Sequence, residues 1–79
     1  MKYEMEQIKG YEQLSEPNQA TFTQFMANWL GAQGTDARKE IVPVSVRFVS
    51  ENNEKYLRFD FRRGKNGTWL HVRSAFSWD

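Results

Sequence analysis

Apolar and polar positions alternate with a period of two through much of the second half of the chain, and with a helical period in one stretch of the first. From Ile41 to Val49, Val42, Val44, Val46 and Phe48 share one parity, and Pro43, Ser45, Arg47 and Val49 the other. From Tyr56 to Arg62 the pattern is cleaner, with Leu57, Phe59 and Phe61 opposed to Tyr56, Arg58, Asp60 and Arg62. The last run sets Leu70, Val72, Ser74 and Phe76 against Trp69, His71, Arg73 and Ala75, and Trp78 continues its inward parity. These runs predict three antiparallel strands over residues 41–49, 56–63 and 68–76, each with one apolar face. Pro43 has no amide proton to give to a ladder, which places the first strand at an edge of the sheet.

Asn66-Gly67 is the strongest short hairpin signal in the chain, because a type I′ turn needs positive φ at both central residues. A turn there would set Phe61 opposite Val72, Phe59 opposite Ser74 and Leu57 opposite Phe76, with Asp60 facing Arg73 on the other surface. A looser turn from Gly64 to Gly67 preserves the faces but opposes Arg58 to Arg73, so the tighter turn is preferred. Ser50 to Lys55 is a hydrophilic hairpin loop.

Phe22, Phe25, Met26, Trp29 and Leu30 recur at i, i+3, i+4, i+7 and i+8, a single apolar stripe on a helix. Ser15 is its N-cap candidate, followed by Glu16 and by Pro17 in the first turn, and the predicted helix runs from 16 to 33 with Gly34 as a left-handed stop. Gly31 offers an earlier stop. Residues 1–14 carry Tyr3, Met5, Ile8, Tyr11 and Leu14 at spacings that fit neither period, with Gly10 between them; a short helical turn and a disordered start are both compatible with this. Residues 35–40 form a polar connection, with room for one turn of helix. The expected architecture is α+β: one principal amphipathic helix packed in two layers on a three-stranded antiparallel meander.

Size sharpens this picture. With 79 residues the chain makes one small domain, near the limit at which a core holds itself together. Three Trp, three Tyr and six Phe offset the small size, and the lack of cysteine excludes disulfides and thiolate metal sites. The charged N-terminus does not fit a signal peptide, and no apolar run approaches the ~20 residues of a membrane span, so a cytoplasmic protein with no membrane contact is expected. Charge is uneven. Residues 1–36 hold two lysines against five acids, whereas residues 37–79 hold nine Lys or Arg against five acids, so halves of −3 and +4 lie behind a net charge of +1.

The candidate chemistry follows from that imbalance. The outer sheet face would present Arg47, Tyr56, Arg58, Arg62, Trp69, His71 and Arg73 around Asp60. Trp, Tyr and Arg are the residues enriched at protein-interface hot spots, so a protein partner, or self-association, is the leading expectation. The same set also offers cations for phosphates and rings for bases, which makes single-stranded nucleic acid the alternative. Asp60 at the centre of the face favours the protein, since it repels phosphates. An ordinary solvated face accounts for the same residues without a ligand. With a single histidine and no clustered acids, no metal or cofactor site is expected. Asp60 and His71 share a face but have no nucleophile beside them, so no catalysis is expected. If Tyr3, Met5, Ile8 and Tyr11 lie over the outer face, the site is lost.

Overall fold

Helix α1 (Glu16–Gly31) begins at its expected cap: Ser15 is extended, and its hydroxyl accepts the Asn18 amide at 3.4 Å. The structure, a computed structural model, describes residues 5–34 and 39–79. The helix ends at Gly31, the earlier of the two stops, and not at residue 33. Ala32 stays right-handed with φ −82°, its amide bonding the Asn28 carbonyl, while the Gln33 amide bonds Leu30 O, so the last turn tightens without a left-handed residue. Nothing lies within 4 Å of where a Cβ on Gly31 would be. Gly31→Ala should therefore raise stability by about 0.5 kcal/mol, read as a higher urea midpoint at unchanged slope. The polar connection falls at residues 35–38, outside the described residues; Lys39 and Glu40 are helical and lead into the sheet.

Four antiparallel strands follow, β1 (Ile41–Glu51), β2 (Glu54–Arg63), β3 (Asn66–Ser74) and the two-residue β4 (Ser77–Trp78), side by side in chain order. The fold is thus α+β with one helix on an antiparallel meander, as the periodicities require, and one strand longer than expected. β1 is an edge strand, in keeping with Pro43. Between β1 and β2 the loop shrinks to Asn52-Asn53, with φ of 49° and 65°, the two positive values of a type I′ turn.

The β2–β3 register differs from both expected ones. The chain turns at Gly64-Lys65, with φ 63° at Gly64, and Arg63 pairs with Asn66. Phe61 then faces Thr68, Phe59 faces Leu70, Leu57 faces Val72 and Asp60 faces Trp69. A primed two-residue turn needs a positive φ at its first central position, and Gly64 supplies it as readily as Asn66. The displacement from the preferred register is four residues. Being even, it leaves every β2 and β3 side chain on its expected face.

β1 departs further. A bulge between Pro43 and Ser45 breaks the alternation, so Pro43 faces Phe61 while Val46 faces Phe59. Val46 and Phe48 keep inward parity, but Ile41 replaces Val42 in the core and both Val42 and Val44 are exposed. At the other end the chain reverses at Ala75-Phe76, leaving Phe76 exposed at the tip, and Trp78 returns opposite Val72. Trp78 does pack inward, its ring 5.3 Å from that of Phe25, but from β4.

The core lies between α1 and the inner face. Phe22, Phe25, Met26 and Trp29 from the helix meet Val46, Leu57, Phe59, Phe61 and Val72, and the aromatic rings touch mainly edge to face. Asn28 anchors the far end of the helix, its amide donating to Ala75 O at 2.9 Å.

The N-terminal segment forms two 3-10 turns, Met5–Gln7 and Tyr11–Gln13, which run past the open edge of β1. The Lys9 amide bonds Val44 O at 3.3 Å, and the Val46 amide bonds Lys9 O at 2.9 Å, a parallel strap that occupies edge groups of β1. Ile8 and Leu14 are buried in the core, and Met5 and Tyr11 pack against it. Gly10 makes the approach possible: its φ is 91°, and a Cβ built there would overlap the Val46 carbonyl oxygen.

Candidate binding face of the sheet

Strand parity carries the expected residues to one surface. Tyr56, Arg58, Asp60 and Arg62 rise from β2, Trp69, His71 and Arg73 from β3, and Ser45 and Arg47 from β1, where they face Asp60 and Arg58. All seven candidate residues are therefore together on the outer face.

Their side chains form a connected array. His71 lies between Tyr56 and Trp69, with ring centroids 4.2 and 4.7 Å away and planes within about 36° and 28° of its own. The Arg58 guanidinium sits over Trp69 at 5.2 Å, and that of Arg73 over Tyr56 at 5.8 Å. Asp60 accepts from Arg58 Nε at 3.3 Å and from the Ser45 hydroxyl at 3.1 Å, so its carboxylate is spent on those two and not on His71 or Arg73. Arg73 instead approaches Asp79 at 3.5 Å and Glu54 at 3.9 Å. These ion pairs are partly or largely exposed and add little to stability.

Two cations stand outside this compensation. The side chains of Arg47 and Arg62 are exposed and make no ion pair or hydrogen bond with any described residue, and Arg47 lies directly opposite Arg58, a like-charge pairing that costs stability. Charge alone thus gives the face no structural reason to hold Arg47.

Sequence reasoning missed Val42 and Val44. Both are 43% exposed, and Val44 lines a shallow groove with Asp60, Arg62, Thr68 and Trp69, itself 48% exposed. The available signal was Pro43, since proline within a sheet occurs at bulges as well as at edges, and a bulge inverts the parity of what precedes it.

None of the described residues covers this face. The apolar side chains of Met5, Ile8, Tyr11 and Leu14 go toward the core, and the strap lies along the β1 edge. Tyr3, named above as a potential cover, lies outside the described residues. Ser74, whose hydroxyl accepts the Phe76 amide at 3.3 Å, is not placed on this face. Among the described residues no three His, Cys, Asp or Glu side chains gather as a metal site would require. No described helix is long and apolar enough to cross a membrane. No protein-family model, curated protein or solved structure matches the chain.

Proposed function

We propose that this chain is a non-enzymatic binding module whose outer sheet face docks a protein partner. One observation carries the reading: the β1 bulge turns Val42 and Val44 outward, toward the same face as Trp69, so apolar area sits among the uncompensated Arg47 and Arg62. An aromatic anchor with aliphatic neighbours and peripheral arginines is the composition of an interface hot spot. Phosphates and bases have no need of the two valines.

The row Tyr56–His71–Trp69, bracketed by Arg58 and Arg73, favours a second reading, single-stranded nucleic acid. Its weakness is that these rings already stack on one another and carry guanidinium groups, so incoming bases would have to displace existing contacts. Asp60 adds repulsion.

A photo-crosslinking residue placed at position 68, on the rim of the groove beside Trp69, in cells that naturally make the chain, separates the readings. The expected product is an adduct that protease removes and nuclease does not, reduced tenfold or more by Val44→Asp or Arg62→Glu in a folded protein. A nuclease-sensitive adduct, matched by salt-sensitive shifts of the Trp69 indole on titration with a mixed-sequence oligonucleotide, would transfer the proposal to nucleic acid. Absence of any adduct would overturn both.

A further inference from the structure

β3 has nine residues, and β4 accompanies only its last part: pairing runs from Ser74 to Val72, and the Asp79 and His71 backbones exchange two hydrogen bonds of 2.9 and 3.0 Å. In an antiparallel ladder alternate residues point their N–H and C=O to opposite sides. His71 points away from β2, so Gly67 and Trp69 do as well. No described strand or loop meets them, which leaves two donors and two acceptors in line along an open edge.

This edge differs from the one at β1. There, Pro43, a bulge and the Lys9 strap block strand addition. From Asn66 to Leu70 there is no proline and no charge, and Thr68, Trp69 and Leu70 favour extended backbone.

We propose that this edge pairs with the same edge of a second copy of the chain, antiparallel, about a two-fold axis at Gly67. The outward-pointing backbones allow Gly67 opposite Gly67, with no side chain at the axis. Lys65 of the second copy then stands opposite Trp69, on the side toward Asp79, and gives the acid a cationic neighbour. An axis at Thr68 also matches the bonding pattern, but it would bring Lys65 of the second copy onto Asp79, which occupies the position facing His71. The steric limit set by β4 therefore selects the first register. Pairing joins two four-stranded sheets into one of eight, with the outer faces continuous. This inference does not depend on what the outer face binds.

Sedimentation equilibrium on the whole chain, together with hydrogen exchange of the Gly67 and Trp69 amides, tests it between about 10 µM and about 1 mM. The expected result is a mass that doubles with concentration while both amides slow roughly tenfold or more. Gly67→Pro leaves the β2 ladder intact, because the Gly67 amide points away from it, and should hold the folded protein monomeric. A monomer at every concentration, or a folded Gly67→Pro protein that still dimerises, overturns the proposal. Should that variant fail to fold, exchange in the unaltered protein decides: Gly67 and Trp69 amides indifferent to concentration overturn it, while an edge used only by a different protein gives that same indifference.

Discussion

Phe59→Ala should cost about 4 kcal/mol, the largest loss expected from any single truncation on the sheet. Phe59 is fully buried, and its ring lies 5.3 Å from Phe22, 5.8 Å from Phe25, 5.5 Å from Trp29 and 5.2 Å from Phe61, so it joins both layers. Alanine removes a ring on which four others converge, and rigid aromatic neighbours cannot collapse into the void. A domain of this size holds about 4 to 12 kcal/mol in all, so the loss takes a large share of its stability. Urea denaturation gives the number directly. Phe59→Leu fills most of the volume and should cost less than half as much; equal losses for leucine and alanine would show that the void is not what sets the cost.

Gly10→Ala should come next, with a loss of about 3 kcal/mol, although the residue lies outside both the helix and the sheet. Two independent costs add. At φ 91° an L side chain is strained by about 1 to 2 kcal/mol, and the new Cβ must displace the Val46 carbonyl oxygen, against which Gly10 rests. Moving that backbone also disturbs the bond from the Val46 amide to Lys9 O and the burial of Ile8. The thermal midpoint should fall by about 12 to 24 °C, given roughly 4 to 8 °C per kcal/mol for a domain of this length. Gly31→Ala is the natural control, since the same substitution there meets open space. If both variants melted alike, the strap would contribute nothing.

These two sites show what was readable beforehand and what was not. Phe59 announces itself through the alternation of β2, and the helix stripe from Phe22 to Trp29 is equally plain, because burial on one face imposes a period that composition cannot hide. Gly10 looked like an interruption in an ambiguous segment. Its role depends on the approach of a strand thirty-odd residues away in sequence, and nothing local encodes that contact. The hairpin turn illustrates a different failure. Gly64-Lys65 and Asn66-Gly67 lie two residues apart, both supply glycine, and both preserve the faces, so only packing across the sheet separates them. Outer-face membership survived that error, which is why all seven candidate residues still gather. The valines did not survive theirs: a bulge at Pro43 changes parity by one, and a one-residue change moves side chains from core to surface. Asp60, expected to face Arg73, faces Trp69 and is held by Arg58 and Ser45. The face thus contains more apolar area, and more uncompensated charge at Arg47 and Arg62, than alternation alone implied.

The Lys9 strap also bears on the time course of folding. Both long hairpins close through two-residue turns, Asn52-Asn53 and Gly64-Lys65, so their ladders grow from neighbours in sequence and need little loop closure. The strap must instead bring residue 9 to residue 45 across the whole helix. Contacts of that separation are expected to form after the rate-limiting step, where their loss speeds unfolding and barely slows folding. Gly10 and Lys9 would then act as a latch, governing how long the assembled sheet lasts and leaving the rate at which it assembles to the two turns.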